Sequence, residues 1–201
     1  MVVNYMDLEI ELDKLLKIRT SGRDDSQSNY INFPYEATPY SVLQNLANSG
    51  LITKRDKIVD FGCGKGRVEF FLAYSTKARL IGVEYDLRLY NNAKANQKNA
   101  ISANRVEFVH SCASKYTIPN DITGAYFFNP FSKSILKEVI QNIKESKNQN
   151  NREIKLFFYY PSKEYIDFLN NDPDIKHYDN IECMDLFKTY DAKEYIAVYI
   201  L

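Results

Sequence analysis

The 201-residue sequence predicts an α/β protein, doubly wound around a mostly parallel sheet of seven strands, with a helical extension at its N-terminus. Two observations predict this class. From residue 57 onward, short apolar runs alternate with segments of helical periodicity, and almost wholly apolar runs such as Arg79 to Glu84 suit parallel strands covered on both faces. Near the C-terminus two runs follow each other with no room for a crossover helix, which predicts an antiparallel last strand.

The predicted elements begin with an amphipathic helix over residues 6–19, indicated by leucines at helical spacing. The polar stretch at 21–28 predicts a mobile loop or lid. Thr38 and Pro39 predict the N-cap and first turn of a second helix, which Gly50 closes. The strands are predicted at 57–61, 79–84, 105–110, 124–128, 154–160, 181–187 and 195–201, and the later helices at 65–76, 87–103, 132–147 and 162–170.

Composition and charge narrow the function classes. The length fits one main domain at 30–201 after an extension at 1–29. Equal numbers of basic and acidic residues, 26 each, give no strong electrostatic signature of a nucleic-acid-binding protein, although an RNA substrate stays open. We expect no export signal and no membrane span. Cys63, Cys112 and Cys183 are far apart, which suggests neither a disulfide frame nor a zinc site and fits a reducing cytoplasm.

The segment from Ile58 to Arg67 carries the main functional signal. An apolar run ends in Asp60, and glycines then occupy alternate positions, at Gly62, Gly64 and Gly66. Glycine lets the main chain approach a ligand closely where a buried strand turns into a helix. The dinucleotide pattern G-x-G-x-x-G would need its third glycine at position 67, which is Arg. Taken alone, the segment could also be an ordinary turn between a strand and a helix.

The acid-x-Gly-x-Gly-x-Gly pattern from Asp60 to Gly66 resembles motif I of the class I S-adenosylmethionine (SAM) methyltransferases, which have a Rossmann-like fold. Glu84 ends the second predicted strand, 22 positions after Gly62, where an acid can accept both hydroxyls of a ribose. NAD would need the same acid. The glycine spacing favours SAM, as does the closing antiparallel pair, which resembles the reversed last strand of these enzymes.

Further segments extend the resemblance to a small, poorly characterised bacterial family of SAM-dependent methyltransferases. These segments are Tyr35 to Tyr40, Gly82 to Asp86, Phe127 to Ser132 and Phe157 to Pro161. Asn129-Pro130-Phe131 is similar to part of motif IV of amino-methylating enzymes, Asn-Pro-Pro-aromatic, in which the Asn side chain and Pro carbonyl accept hydrogen bonds from the target amino group. The second proline is missing and the ring comes one position early, so methylation of a base nitrogen or glutamine amide does not follow.

The resemblance implies SAM as the cofactor, S-adenosylhomocysteine as the product and no metal. Asp60 would accept hydrogen bonds from the glycine loop or lie near the SAM amino group. The family commonly binds adenine with an acid or amide at the position of Cys112, so adenine recognition would depend on backbone groups near Cys112 and Ala113 or on Ser111. The predicted cofactor-binding residues are Asp60, Gly62, Cys63, Gly64, Gly66, Glu84, Tyr85, Cys112, Ala113 and Asn129. The predicted catalytic residues, at the rim where the methyl acceptor binds, are Asn129, Pro130, Phe131 and Tyr35.

These inferences predict methyl transfer from SAM to an unidentified acceptor, with a nitrogen of a protein side chain or of RNA favoured and a small metabolite left open. Two alternatives remain. A non-catalytic SAM-binding or degenerate methyltransferase module is one, because motif IV is partial and Cys112 is unusual. An NAD-dependent oxidoreductase is the other, and it lacks both the glycine spacing and an evident set of hydride-transfer residues.

Overall fold

The structure, a computed structural model, describes residues 5–22 and 35–201. These residues form one sheet of seven strands in the order β3-β2-β1-β4-β5-β7-β6. Strands β1 to β5 are parallel, and β7 lies antiparallel between β5 and β6. The strands are β1 Lys57–Phe61, β2 Arg79–Glu84, β3 Val106–His110, β4 Gly124–Phe127, β5 Lys155–Tyr159, β6 Lys176–Glu182 and β7 Tyr195–Ile200. The helices are α1 Tyr5–Leu16, α2 Tyr40–Asn48, α3 Arg67–Thr76, α4 Leu87–Gln97, α5 Lys133–Gln149 and α6 Lys163–Asn170.

Two buried layers, one on each face of the sheet, hold the fold together. Successive strand residues point to opposite faces, so Tyr126 of β4 packs with the layer under α2 and α3, and Phe127 packs with the layer under α5. In the second layer the ring of Phe127 stacks on Phe61 and Phe158, with ring centroids 5.3 Å and 4.6 Å apart. Such continuous burial explains why β1, β2, β4 and β5 read as apolar runs.

The central strand β1 positions the site. It pairs with β2 on one side and β4 on the other, and Asp60 is in register with Gly82 and Tyr126. The strand order reverses between β1 and β4, which is where open α/β sheets bind ligands at the carboxyl ends of their strands. The predicted fold class is confirmed, including the antiparallel C-terminal strand.

Several predicted elements had wrong boundaries, among them the first helix, which was predicted to reach 19 and ends at Leu16. The sixth strand was predicted at 181–187 but occupies Lys176–Glu182, at the sheet edge, where its residues are mostly exposed and show no apolar pattern. The apolar residues that suggested 181–187 include Leu186 and Phe187, which pack from the following turn against the core. Helix α4 was predicted to end at 103 but ends at Gln97, and a separate 3-10 turn follows at Ala103–Arg105.

The second helix begins one residue later than predicted. Pro39 is its N-cap and no side chain caps it. The hydroxyl of Thr38, the predicted cap, instead lies 3.1 Å from the hydroxyl of Tyr126 in β4. Thr38 thus contacts the sheet and does not cap the helix.

Arg67, the first residue of α3, fastens the N-terminal extension to the domain. Its side chain is buried, with its guanidinium paired to the Glu9 carboxylate of α1 and lying 4.3 Å from the ring centroid of Tyr40. It also donates to the hydroxyl of Thr20 at 2.7 Å and to the carbonyl of Thr38 at 3.2 Å. One buried cation therefore holds α1, the segment after it and the start of α2 together.

Asp13 of α1 completes this connection. Its carboxylate accepts hydrogen bonds from the backbone N–H and the hydroxyl of Thr20, at 2.7 Å and 2.6 Å, and from the hydroxyl of Tyr40. Leu16 and Ile18 share the core layer of α2 and α3, so the described part of the extension packs as part of the main domain. Residues 23–28 of the predicted loop lie outside the described residues. Over the described ranges, no helix is both long enough and apolar enough to cross a bilayer.

Candidate cofactor and methyl-acceptor site

A cleft that is partly open to solvent lies at the carboxyl ends of β1, β2 and β4. The structure brings most of the predicted site residues together around it. Those that line the cleft are Tyr35, Asp60, Gly62, Cys63, Glu84, Tyr85, Ala113, Pro130 and Phe131. Four predicted site residues do not line the cleft, and the contacts described below show where each of them lies. They are Gly64, Gly66, Cys112 and Asn129.

The glycine loop between β1 and α3 is enclosed by three neighbouring side chains. All three glycines have positive φ, at +85° for Gly62, +57° for Gly64 and +89° for Gly66, a conformation that side chains rarely adopt. A Cβ at Gly62 would lie 2.6 Å from Pro130, and one at Gly64 would lie 2.1 Å from the ring of Tyr35. At Gly66 the close neighbour is the ring of Phe108, at 2.5 Å. Gly64 and Gly66 therefore shape the loop, whereas Gly62 also borders the cleft.

Glu84 ties the loop to β2. Its carboxyl group is buried, and its two oxygens accept hydrogen bonds from the backbone N–H groups of Gly64 and Asp86, both at 2.9 Å. Burial raises the pKa of Glu84, while these N–H groups lower it. Each carboxylate oxygen has two lone pairs, so the group retains acceptor capacity toward the cleft.

Asp60 also faces the cleft, and it is 3% exposed. The pKa of Asp60 is raised to about 7, mainly by burial and in part by the nearby charge of Glu84. The loop N–H groups are engaged elsewhere: those of Gly62 and Cys63 donate to the Val83 carbonyl, at 2.9 Å and 3.2 Å. Of the two roles predicted for Asp60, binding the loop is thus not seen among the described residues.

The far end of the cleft is formed by the loops after β2 and β3. Tyr85 lines it, and the Tyr85 carbonyl lies 2.9 Å from Nε2 of His110. Ala113 lines it as well, whereas Cys112 is exposed and precedes a short 3-10 turn. Of the residues predicted for adenine recognition, the structure therefore places Ala113 at the cleft and Cys112 outside it.

The end of β4 forms the opposite wall, with Pro130 and Phe131 at the cleft and Asn129 turned away from it. Asn129 has φ +41°, and its amide nitrogen donates to the carbonyl of Tyr160 at 2.5 Å. Its amide oxygen accepts from the N–H of Ser162 at 3.2 Å. The amide thus joins β4 to the turn between β5 and α6, and both of its polar atoms have hydrogen-bond partners there.

Several residues of the cleft were not predicted from the sequence. In the sequence, Arg67 is notable only because it breaks the dinucleotide pattern. In the segment from Tyr35 to Tyr40, only Tyr35 is predicted to belong to the site. Phe128 offered a usable signal, because it is an aromatic residue directly before Asn129. The residues that line the cleft but were not predicted are Glu36, Ala37, Thr38, Arg67, Val68, Val83, Asp86, Arg88, Leu89, Tyr126 and Phe128.

No protein-family model matches the chain, and comparison with curated proteins gives no match. Solved structures do resemble it. An RNA methyltransferase from Salinibacter ruber in complex with S-adenosylhomocysteine is 21% identical, with a TM-score of 0.51 over 82% of this chain and 92% of that one. A SAM-dependent methyltransferase from Thiobacillus denitrificans, also in complex with S-adenosylhomocysteine, is 14% identical, with a TM-score of 0.56 over 81% of this chain and 90% of that one.

A TehB-like SAM-dependent methyltransferase from Corynebacterium glutamicum is 17% identical, with a TM-score of 0.56 over 80% of this chain and 86% of that one. At such identities the likeness establishes the fold. The chain has the Rossmann-like fold of the class I SAM-dependent methyltransferases. Within residues 5–22 and 35–201, no group of three or more His, Cys, Asp and Glu side chains is arranged to hold a metal ion.

Proposed function

We propose that the protein is a SAM-dependent methyltransferase. The observation that carries this proposal is the pair of buried acids, Asp60 and Glu84, which face one cleft beside a glycine loop at the switch point of this fold. SAM combines a ribose with a cationic ammonium and sulfonium, so a site with hydrogen-bond acceptors and negative charge suits it. When bound, SAM supplies an electrophilic methyl group.

The residues present fit such a ligand. Glu84, with acceptor capacity left on both oxygens, would hold the ribose hydroxyls, and Asp60 would face the ammonium group. Gly62 and Cys63 would border the methionine part, and the adenine would lie toward the end of the cleft that Tyr85 and Ala113 line. A direct role for Gly66 does not fit, because Gly66 does not line the cleft and the Phe108 ring fills the space beside it.

The chain's own contribution to methyl transfer would be to orient the acceptor and exclude water. Tyr35, Phe128, Pro130 and Phe131 give the acceptor side of the cleft an apolar, aromatic character. Burial raises the pKa of Tyr35, and its hydroxyl donates to the Thr20 carbonyl at 2.7 Å, so Tyr35 acts through its ring. Positioning of this kind supplies about 7–11 kcal/mol of a reaction barrier. Asn129 would stabilise this wall through its hydrogen bonds to the turn after β5.

The acceptor is a separate proposal: a nitrogen of a protein side chain or of RNA. One of the similar structures is an RNA methyltransferase, and the formal net charge of +0 argues against a broad phosphate-binding surface. Transfer of labelled methyl from SAM into a cell extract, followed by nuclease or protease digestion, separates the two. If neither nuclease nor protease removed the label, the acceptor would be a small molecule. The free thiols of Cys63, Cys112 and Cys183 fit the cytoplasmic setting that we also propose.

The cofactor proposal is tested by calorimetric titration of SAM into the wild-type protein and a Gly64→Val variant. We expect the variant to remain folded by circular dichroism and to lose SAM binding, because its side chain cannot coexist with the Tyr35 ring. Gly50→Val is the matched control: φ there is also positive, at +76°, but nothing lies within 4 Å of a Cβ. Undiminished SAM affinity in a folded Gly64→Val protein, or wild-type binding of NAD in place of SAM, would refute the proposal.

A further inference from the structure

Glu69 is a fully buried carboxyl group that the proposed reaction does not use. It lies in the first turn of α3, and no described donor hydrogen-bonds to either of its oxygens. Its Oε1 is 2.6 Å from the point that a Cβ on Gly82 would occupy, and the Sγ of Cys63 is 2.7 Å from the same point. Because Gly82 is the register partner of Asp60, the Glu69 carboxyl lies beside the strand pair that carries Asp60.

The groups around Glu69 are acidic or neutral. Asp60 and Glu84 add two more buried carboxyls, and both raise the pKa of Glu69 in addition to the larger effect of burial. Cys63, Tyr126 and Tyr35 also lie near these acids, and burial raises the pKa of each, so all three are neutral.

The salt bridges of the described residues do not reach these acids. Arg67 is close in sequence, but its guanidinium is paired with Glu9. Within the described ranges, no Lys or Arg forms an ion pair with Asp60, Glu69 or Glu84. Three ionised carboxylates in a water-poor space would repel one another and would be poorly solvated. At least one proton is therefore held within the cluster when no cation is present.

We propose that Glu69 is a positioning residue that shares one proton with Asp60 and that a cationic ligand entering the cleft releases this proton. A shared proton lets one carboxyl donate an O–H to the other, which satisfies an oxygen that otherwise has no partner. An ammonium group beside Asp60 supplies positive charge in its place, and the proton leaves to solvent. Glu69 thus acts through Asp60 and does not touch the ligand. This inference rests on the proposed function, since SAM is the cation expected there.

The sign of the pH effect follows from linkage. The bound cation favours the ionised form of the pair, so binding releases a proton and becomes stronger as pH rises. While the free pair holds its shared proton, SAM affinity increases up to about tenfold per pH unit, and the increase ends above the pKa at which the free pair loses that proton. A Glu69 that is permanently protonated and only structural would give no such dependence.

The experiment is calorimetric titration of SAM at several pH values in buffers with different heats of ionisation, which counts the protons released on binding. We expect the wild type to release close to one proton at the acid end of the range. Glu69→Gln keeps the shape and offers an N–H to Asp60, but it has no proton to lose. In that variant the release and the pH dependence of affinity should both disappear. Asp60→Asn, as a second variant, should also release none.

Glu164→Gln is the matched control, because Glu164 is an exposed acid in the first turn of α6. It should release protons as the wild type does. Equal release by the wild type and Glu69→Gln, or SAM binding by the wild type without release, would overturn the role of Glu69 and leave the proposed function intact. A wild type that binds no SAM would overturn both. Without any ligand, infrared spectroscopy should show a protonated carboxyl at neutral pH that Glu69→Gln lacks.

Discussion

Replacing Arg67 with methionine tests whether one buried cation holds the N-terminal extension in place. Arg67 is only 3% exposed, and its guanidinium is paired with Glu9. Methionine keeps an unbranched apolar side chain but removes the guanidinium. The carboxylates of Glu9 and Asp13 then remain in place without their positive partner. Removal of one partner from a buried ion pair destabilises a protein by about 3–5 kcal/mol. Domains of this kind have total stabilities of about 5–15 kcal/mol, so the variant should fold but with a large loss.

The assay is urea unfolding with linear extrapolation to water. Lys163→Met is the control, since the Lys163 side chain is 85% exposed and its pair with Asp167 on the same helix is worth about 0.5 kcal/mol or less. A double variant with Glu9→Gln should lose less than the sum of the two single losses, because the unpaired carboxylate is gone. A loss below about 1 kcal/mol for Arg67→Met would refute the argument that this ion pair fastens α1.

Two other substitutions separate packing from chemistry. Gly66→Ala places a Cβ 2.5 Å from the Phe108 ring at φ +89°. The free energy of unfolding should therefore fall by about 2–5 kcal/mol. The control, Gly50→Ala, meets no neighbour, and its free energy of unfolding should fall by about 1–2 kcal/mol. Equal losses in urea unfolding would contradict the steric argument. Asn129→Ala should cost about 1–3 kcal/mol through its two lost backbone hydrogen bonds. If the variant kept its stability but lost methyl transfer, we would conclude that the Asn129 amide binds the methyl acceptor.

Much of the fold could be predicted because the parallel strands are buried on both faces. A short, continuous apolar run bounded by turn residues is typical of such a strand, so β1, β2, β4 and β5 were placed within a residue or so of their observed ends. The edge strand β6 has no such pattern, because one side of it has no neighbouring strand and its residues face solvent. Its hydrogen bonds to β7 define it, and those depend on a partner that a local pattern does not reveal.

Site residues could be predicted where a local sequence pattern determines their geometry. They could not be predicted where contacts with distant parts of the chain determine it. Three glycines with positive φ can be recognised from their spacing, and so can an acid at the end of a strand such as Glu84. The direction of the Asn129 amide depends on the turn after β5, which lies about thirty residues further along the chain. The role of Arg67 depends on Glu9 and Thr20, which precede it by 58 and 47 positions.

The three neighbours of the glycine loop have a practical consequence for engineering. Tyr35, Pro130 and Phe108 come from separate parts of the chain, and each occupies the space that a side chain on the loop would need. Trimming one of them would widen the loop's surroundings without changing the backbone conformation that the glycines permit. A library designed to accept bulkier cofactor analogues should therefore vary Tyr35 and Pro130, which line the cleft, and leave the glycines and the core residue Phe108 untouched.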